Sequence, residues 1–338
     1  MRALVIDAVG QASVREVPYP KPGPGEVTVK VEACGLCGTD VHIYKGEFLA
    51  SYPIVPGHEF SGTVAEVGEG VTAWAVGDRV AADPNVFCGD CYFCKTDRGN
   101  HCLHWNGIGV TRNGAFAEYC VVPQANVYAM DSSLSYEEAA FIEPISCVVY
   151  GLRRLKPQQG DHALVFGAGP IGLLHSQLLN RGGTASLTVV DLEQRRLDLA
   201  ASLGIKQAVL GGDGQDAALA ALQPLGFDLV IDATGVPAVV ERTFRYVKRT
   251  GKIMFFGVCP NDASIRVSPF DVYARDLEIY GSFALRYTFY YARDLLTNGA
   301  VQVKPLISHV VGLEDALEGL KSPSAFPGRL KVMVRPLA

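Results

Sequence analysis

The stretch His162-Ala-Leu-Val-Phe-Gly-Ala-Gly-Pro-Ile-Gly172 decides the fold of this chain. Residues 162–166 form a short apolar run that is typical of a buried strand, and Gly167, Gly169 and Gly172 follow with the spacing G-x-G-x-x-G. After a strand, such a run predicts a tight turn, a close approach of a phosphate to the backbone, and a helix that packs on the strand. The stretch therefore predicts a strand–turn–helix unit that binds a dinucleotide.

The first turn of the predicted helix, over residues 171–179, should hold the pyrophosphate. The helix N-terminus supplies free N–H groups and the positive end of the helix dipole to the phosphates, and Pro170 and Ile171 are expected to lie at this end. Asp191 ends the next predicted strand, nineteen residues after Gly172. A carboxylate at that place accepts hydrogen bonds from the ribose hydroxyls and repels a 2′-phosphate, which favours NAD over NADP.

Three further residues are expected to line the cofactor site. Arg196 follows Asp191 closely, and Thr234 and Val258 follow later strands on the side where ligands bind such sheets. Arg195 and Arg196 leave NADP as a possible cofactor, because either guanidinium could approach a 2′-phosphate. The alternative is that both side chains lie on the solvent face of the next helix. For Thr234 and Val258 the alternative is an ordinary loop after a strand.

From residue 162 onward, short apolar runs alternate with helical patterns, which predicts βαβ units and a parallel sheet covered by helices. The predicted strands of this sheet are His162–Phe166, Ser186–Val190, Asp228–Ile231, Lys252–Phe256 and Leu277–Tyr280. Residues 1–148 instead alternate apolar and polar positions between Gly and Pro, as half-buried strands do. The fold class is therefore predicted as α/β.

A chain of 338 residues is long for one hydrophobic core and suits two domains. We predict a strand-rich catalytic domain over residues 1–148, a doubly wound Rossmann domain over 149–282, and a return to the first domain over 283–338. A helix near 290–298 and a strand near 330–334 are expected in the returning segment.

The composition narrows the function. A net charge of −5 argues against a nucleic-acid partner, because phosphate binding needs clustered Lys and Arg. We see no signal peptide and no apolar run long enough for a membrane span. Nine cysteines without an export signal indicate a reducing compartment, and we expect a cytoplasmic enzyme.

Four cysteines form one loop motif over residues 88–102, Cys88-x2-Cys91-x2-Cys94-x7-Cys102. Four thiolates on a short loop can close a tetrahedral shell, which suits zinc. A closed shell leaves no position for substrate, so this zinc should be structural. The alternatives are a disulfide pair or thiols scattered in the core. Disulfide pairs are more typical of small secreted chains.

A second set of candidate ligands consists of Cys37, His58 and Glu59. A thiolate, an imidazole and a carboxylate from distant positions can hold zinc and leave one position for water or substrate. Glu143 adds a further carboxylate. A lone His or Glu is more often structural, and Cys34 with Cys37 could form a redox pair, although the βαβ setting of such pairs is missing.

Together these motifs resemble the zinc-containing medium-chain dehydrogenase/reductase family. The resemblance covers nearly the whole chain and implies a GroES-like catalytic domain beside the Rossmann domain. Its motifs are Cys34-Gly-Leu-Cys-Gly-Thr-Asp-Val-His42, Gly57-His-Glu59, the four-cysteine loop, Gly114-Ala-Phe-Ala-Glu-Tyr119 and the glycine-rich turn.

Within the family, Glu143-Pro144 resembles the sorbitol (polyol) dehydrogenases, because simple alcohol dehydrogenases usually have a cysteine there. The resemblance implies that Cys37, His58 and Glu59 bind the catalytic zinc, and that Glu143 joins the shell or holds its water. Whether Glu59 or Glu143 is the third ligand stays open. The implied reaction is NAD-dependent oxidation of a secondary alcohol in a polyol to a ketose.

The resemblance also implies roles around the substrate. Thr39 would take the proton from the reacting hydroxyl and His42 would pass it outward; for Thr39 the alternative is a helix cap. Tyr44 and Phe283 would line the substrate pocket. Family members are dimers or tetramers, and we expect a homotetramer.

The chain departs from the sorbitol dehydrogenases at one loop. Those enzymes carry an Arg-Tyr pair directly after the Gly-x-Phe that matches residues 281–283, whereas this chain has Ala284 and Leu285 there, with Arg286 and Tyr287 two residues later. Either the loop is rerouted and Arg286 still reaches the substrate, or the substrate is held differently.

Several alternative functions stay open at this point. L-threonine 3-dehydrogenases share the motif of residues 34–44, and 2,3-butanediol is a related substrate. A sugar phosphate, bound by Arg286 or Arg112, ranks lower. A catalytically idle relative is disfavoured because Thr39, His58 and the glycines are all present, and Cys37 disfavours a zinc-free quinone reductase.

Overall fold

A computed structural model describes residues 1–337, and they divide into two compact units. The first unit comprises Met1–Ser146, Ala284–Asn298 and the chain from Val303 onward, and the second comprises Cys147–Phe283 and Gly299–Gln302. The boundaries expected after residues 148 and 282 lie within two residues of these limits. The assignment of a separate role to each unit stays a prediction.

The strands are β1 (Arg2–Ala8), β2 (Gln11–Glu16), β3 (Glu26–Leu36), β4 (Glu59–Val67), β5 (Arg79–Ala82), β6 (Asn85–Val86), β7 (Asn106–Gly107), β8 (Tyr119–Pro123), β9 (Val127–Ala129), β10 (His162–Phe166), β11 (Ser186–Asp191), β12 (Gln207–Leu210), β13 (Phe227–Asp232), β14 (Val247–Phe255), β15 (Glu278–Gly281), β16 (Ile307–Val311) and β17 (Lys331–Val334). The helices are α1 (Gly38–Lys45), α2 (Tyr92–Lys95), α3 (Tyr136–Ala139), α4 (Ile142–Leu155), α5 (Pro170–Arg181), α6 (Gln194–Ser202), α7 (Gln215–Leu222), α8 (Pro237–Tyr246), α9 (Pro269–Ala274), α10 (Phe289–Thr297) and α11 (Leu313–Lys321).

The second unit is built on a six-stranded sheet with the order β12-β11-β10-β13-β14-β15, in which every neighbouring pair is parallel. The predicted parallel sheet is confirmed. Phe166 pairs with Val190 in β11 and with Asp232 in β13. The carboxyl ends of these central strands therefore meet at one edge, which is where ligands bind such sheets.

Strand β12 was absent from the sequence prediction. It has four residues, Gln207–Leu210, at the edge of the sheet, and none of its residues is fully buried. A short, partly exposed edge strand lacks the continuous apolar run that reveals a central parallel strand. This omission explains why five strands were expected and six are present.

The first unit is built on a larger sheet with the order β16-β17-β3-β4-β5-β9, in which β8 also pairs with β3. Strand β17, from the end of the chain, runs antiparallel to β3 with Val332 opposite Leu36. Strand β4 flanks β3 on its other side, with Glu59 opposite Gly35. This register brings the start of β17 and the start of β4 to the same end of β3.

Each unit has its own apolar core. In the first, side chains of β1, β3 and β4, including Phe60, pack with Phe116 and helix α11. In the second, Phe166, Phe227 and Ile253 pack between sheet and helices. None of the helices within residues 1–337 combines the length and apolar character that a bilayer crossing requires.

Candidate functional site

Cys37, His58 and Glu59 come together in the first unit. Cys37 lies between β3 and α1, His58 directly precedes β4, and Glu59 is the first residue of β4. One sulfur, one ring nitrogen and one carboxylate oxygen from the three residues lie within 4.8 Å of one another. His58 and Glu59 are buried. Such a mixed donor set is typical of a zinc site that keeps one open position.

Asp40, a fully buried residue of α1, organises this cluster. Its carboxylate accepts a hydrogen bond from the Cys37 amide at 2.8 Å and from the Gly57 amide at 3.2 Å. Its Oδ1 also lies 3.4 Å from His58 Nδ1. Burial disfavours a charged imidazole, but Asp40 and Cys37 outweigh it and raise the pKa of His58 well above its usual value. A carboxylate beside Nδ1 orients a histidine to offer Nε2 to a metal.

Lys331 supplies a buried positive charge to the same cluster. It is 5% exposed, and its ammonium forms an ion pair with Glu59 Oε2. Burial acts against the ammonium form, but the charges of Glu59 and Cys37 prevail and raise the pKa of Lys331. Arg329 also faces this group of acids, although its own burial lowers its pKa. Sequence reasoning missed both cations, because nothing in the local sequence around residue 331 marks a site.

The residues present fit a metal ion. His58 Nδ1 and Glu59 Oε2 are buried and make no hydrogen bond of normal geometry, although Asp40 and Lys331 lie beside them. Buried polar atoms are nearly always satisfied, so an incomplete set of partners indicates that a further group belongs there. A divalent cation shared with the Cys37 sulfur would complete it.

The structure places the other expected site residues of this region as follows. Glu143 is buried at the start of α4 and lies outside the three-residue cluster, so its role stays a prediction. Thr39 lies in the first turn of α1, and Cys37 rather than Thr39 caps that helix. His42 Nδ1 lies 2.7 Å from Glu47. The Tyr44 hydroxyl donates to the carbonyl of Gly10 at 2.9 Å, which leaves its expected contact with substrate a prediction.

The four cysteines of the loop cluster around one point. The Sγ···Sγ separations are 3.6 Å for Cys91–Cys94, 3.9 Å for Cys88–Cys94 and 3.9 Å for Cys91–Cys102. A tetrahedral shell with Zn–S distances of about 2.3 Å requires sulfurs about 3.8 Å apart. All nine cysteines are free, so the disulfide alternative is wrong. The geometry fits a closed four-sulfur zinc site.

The backbone of this loop also favours thiolates. The amides of Asp90 and Cys91 each donate to Cys88 Sγ at 3.4 Å, and they lower the pKa of Cys88. Burial and the adjacent thiols of Cys102 and Cys91 instead raise the pKa of Cys94 to about 12. Four thiols packed together cannot all ionise without a cation, and a divalent metal removes that conflict.

The glycine-rich turn in the second unit fits a dinucleotide. A Cβ built on Gly172 would clash with the carbonyl oxygen of Gly167, so the close approach of α5 to the turn requires glycine. At Gly169, the N-cap of α5, a Cβ would enter space in which the described residues place no atom within 4 Å beyond its chain neighbours. Open space at the N-terminus of a long helix is what a pyrophosphate requires.

Asp191 lies at this turn. Its Oδ2 accepts a hydrogen bond from the Ala168 amide at 2.7 Å and its Oδ1 from the Glu193 amide at 2.9 Å. Arg196 lies 3.6 Å from Asp191 and 2.9 Å from Glu193, whereas Arg195 pairs with Glu193 alone and is more exposed. Arg196 is therefore beside the acid that was expected to select NAD, and the role of the two arginines stays a prediction.

Asp232 holds the next loop. It is fully buried, and its carboxylate accepts hydrogen bonds from the amide and hydroxyl of Thr234 and from the amide of Gly235. Burial raises the pKa of Asp232. Asp232 shapes the turn that presents Thr234, and Val258 is about half exposed. The Asp-x-Thr-Gly pattern was the available sequence signal for this turn.

Two expected substrate residues have different surroundings. Arg286 donates a hydrogen bond to the carbonyl of Asp97, and its guanidinium lies 3.3 Å from the Asp97 carboxylate. Asp97 belongs to the four-cysteine loop, so the structure places Arg286 against that loop. Phe283 is partly exposed in the second unit, and its contact with substrate stays a prediction.

Comparison with known proteins supports one family for both units. Residues 23–132 match the family described as the alcohol dehydrogenase GroES-like domain, and residues 170–298 match the family described as zinc-binding dehydrogenase. The chain is 36% identical over 341 residues to D-arabinitol dehydrogenase 1 of Uromyces fabae, covering 99% of this chain and 97% of that protein. The chain belongs to the zinc-containing medium-chain dehydrogenase/reductase family. The resemblance seen in the sequence is confirmed.

Two further proteins are similar to this dehydrogenase over nearly its whole length. D-altritol 5-dehydrogenase of Agrobacterium fabrum is 37% identical, with 98% of each chain covered. A protein of Sinorhizobium meliloti 1021, described as a zinc-binding dehydrogenase and solved with NADP bound, is 36% identical with a TM-score of 0.93 and 99% of each chain covered. The predicted GroES-like domain beside a Rossmann domain is likewise confirmed.

The four-cysteine loop of this dehydrogenase generates a test of its metal. Cys94→Ser should lower the zinc content by one equivalent and lower the thermal midpoint, because a structural zinc contributes folding free energy directly. Elemental analysis and a thermal melt measure both effects. Cys120→Ser, at a buried cysteine of β8 outside both clusters, is the control and should keep its full zinc content. Unchanged zinc in Cys94→Ser would contradict the assignment.

Proposed function

We propose that this protein oxidises a secondary alcohol of a polyol to a ketose, with zinc as the catalytic metal and NAD as the hydride acceptor. The observation that carries the proposal is the cluster of Cys37, His58 and Glu59, whose ligand atoms lie within 4.8 Å of one another. The donor types and the buried, incompletely satisfied atoms of that cluster support a zinc ion there. A second zinc, in the four-cysteine loop, is proposed to be structural.

The chemistry supplied by zinc at this cluster is Lewis-acid polarisation of the substrate hydroxyl, which makes its proton easier to remove near neutral pH. Asp40 orients the imidazole of His58 and fixes the turn through the Cys37 amide. Lys331 neutralises Glu59, which limits the excess negative charge that a buried thiolate and two buried carboxylates would otherwise leave. Glu59 belongs to the cluster of ligand atoms and Glu143 lies outside it, which favours Glu59 over Glu143 as the third ligand.

The proton leaves through side chains of α1 in this proposal. Thr39 accepts it at its hydroxyl and passes it to His42, whose ring nitrogen Nδ1 is 2.7 Å from a Glu47 carboxylate oxygen. The side chains of His42 and Glu47 are 21% and 34% exposed, so water reaches this pair. An imidazole titrates in the range that proton transfer to solvent at neutral pH requires.

The chemistry supplied by NAD is acceptance of hydride at its nicotinamide ring. The free N–H groups of α5 bind the pyrophosphate, and Asp191 binds the ribose hydroxyls. Asp191 as a residue is only 8% exposed, but each of its carboxylate oxygens keeps a lone pair beyond the amide hydrogen bonds already made. Arg196 keeps NADP as the second candidate, since its guanidinium lies beside Asp191 and a similar protein was solved with NADP.

We propose polyols before other alcohols as the substrate class. Two proteins that are 36% and 37% identical to this chain are named for D-arabinitol and D-altritol. Both are acyclic sugar alcohols with secondary hydroxyls. L-threonine and 2,3-butanediol share the secondary alcohol but not the longer chain of hydroxyls, and they rank second.

We also propose that the protein is a homotetramer in a reducing compartment such as the cytoplasm. Strand β15 is the end strand of the parallel sheet, and Ile279 on it is 42% exposed. Nearby in sequence, Phe270 and Tyr273 of α9 are 74% and 80% exposed. An open edge with large exposed apolar side chains supports association with a second copy. The four reduced cysteines that the proposed zinc site requires support a reducing environment.

The substrate proposal is tested by following NAD reduction with D-arabinitol, D-altritol, sorbitol, L-threonine and 2,3-butanediol. We expect the highest kcat/KM with one of the polyols, loss of activity after dialysis against a chelator, and recovery with Zn²⁺. Cys37→Ser should retain less than about one hundredth of the activity, because a catalytic Lewis acid contributes several kcal/mol. Cys120→Ser should stay active. A higher kcat/KM for L-threonine or 2,3-butanediol than for every polyol would overturn the substrate class.

The cofactor proposal is tested by comparing kcat/KM for NAD and NADP at saturating polyol. We expect a preference for NAD of at least about tenfold, and Asp191→Ala should reduce that preference by about tenfold, because it removes one charge-assisted hydrogen bond and one repulsive charge. Asp198→Ala, at an acidic residue within α6, is the control and should leave the ratio unchanged. Equal rates with both cofactors in the unmodified enzyme would contradict the role of Asp191.

A further inference from the structure

The segment over residues 284–288, here called the 284–288 loop, has a strained backbone. Ala284 and Tyr287 adopt positive φ angles of 54° and 50°. Side chains other than glycine rarely adopt this conformation, and it persists only where surrounding contacts enforce it. Contacts around the 284–288 loop therefore hold it in this conformation.

One end of the loop is anchored to helix α4. Leu285 is fully buried, and Thr288 Oγ1 donates to the carbonyl of Ser146 at 2.9 Å and lies 2.8 Å from the Ser146 hydroxyl. Ser146 comes one helical turn after Glu143 in α4. Residues three apart in a helix share a face, so the loop is fixed to the face that carries Glu143.

Arg286 and Tyr287 of the loop contact the four-cysteine loop and the residue before it. The Arg286 guanidinium donates to the Asp97 carbonyl and lies 3.3 Å from the Asp97 carboxylate. Asp97 lies between Cys94 and Cys102, and it also has a positive φ, of 57°. The ring of Tyr287 contacts that of Phe87, which directly precedes Cys88, with centroids 6.0 Å apart in an edge-to-face arrangement.

We propose that Arg286 is a positioning residue, which ties the 284–288 loop to the four-cysteine loop and thereby fixes the first turn of α4, where Glu143 lies. In this arrangement Arg286 acts without touching the substrate. A metal bound by the four cysteines would restrict the motion of Asp97 and Phe87. Through its contacts with both regions, the 284–288 loop would then also restrict the motion of Ser146. The predicted effect of Arg286 on turnover rests on the proposed function. The predicted effect on the order of the loops does not, because these contacts form without substrate.

The test compares Arg286→Met, Arg286→Lys and Arg293→Met as zinc-loaded full-length proteins by hydrogen–deuterium exchange. Arg293 is the matched control, because its side chain is also 28% exposed and also pairs with an aspartate. Arg286→Met should speed exchange about tenfold in residues 95–99, 284–288 and 142–146, the factor expected for a hydrogen bond from a charged donor. Arg286→Lys should fall between Arg286→Met and wild type, and Arg293→Met should match wild type.

A second measurement follows zinc release from the four-cysteine loop during thiol modification, with a colorimetric chelator. Arg286→Met should release that zinc faster than Arg293→Met. Equal exchange and equal release in these two variants would overturn the proposal, as would faster exchange confined to residues 284–288 with no change at 142–146. A large fall in kcat/KM of Arg286→Met with wild-type exchange would instead show that Arg286 contacts substrate, and would also overturn it.

These outcomes separate the two proposals. If no polyol is oxidised by the unmodified protein, the proposed function fails, while exchange and zinc release still decide the role of Arg286. If polyols are oxidised, kcat/KM should fall about fivefold to tenfold in Arg286→Met and recover partly in Arg286→Lys, in the same order as the exchange rates.

Discussion

The first unit depends on how it accommodates buried charge at one end of strand β3. Asp40 and Glu59 are nearly inaccessible to water, and the sulfur of Cys37 lies beside them. Burying such groups is strongly unfavourable unless they are paired and hydrogen-bonded. Backbone amides satisfy Asp40, the Lys331 ammonium pairs with Glu59, and a divalent cation would balance the thiolate and complete the coordination of His58.

The return of the end of the chain to the first unit completes this charge arrangement. Strand β17 pairs with β3 on one side while β4 pairs with it on the other, so Lys331 and Glu59 arrive at the same end of β3. Lys331 lies more than 270 positions after Glu59 in the sequence, yet its ammonium joins the cluster formed by Cys37, His58 and Glu59. The site in the second unit needs no buried cation. Backbone amides at the start of α5 and the open space at Gly169 suffice to accept an anionic ligand.

The contacts that could be predicted from the sequence are those between residues of one continuous motif. The spacing of the four cysteines is enough to predict their convergence, and the glycine spacing after an apolar strand is enough to predict the turn at Gly167. Lys331 was missed because its partner is set by strand register, which no local pattern reveals. Arg286 was expected at the substrate, yet it pairs with Asp97 across 189 positions of the chain. Strand β12 was missed because a short edge strand carries little apolar signal.

Anomalous diffraction at the zinc edge, from crystals of the zinc-loaded protein, tests the central claim most directly. The account predicts one peak among the four loop sulfurs and a second peak bounded by Cys37 Sγ, a ring nitrogen of His58 and a carboxylate oxygen of Glu59. A fully occupied peak in the four-cysteine loop, with no density for metal between Cys37, His58 and Glu59, would contradict it.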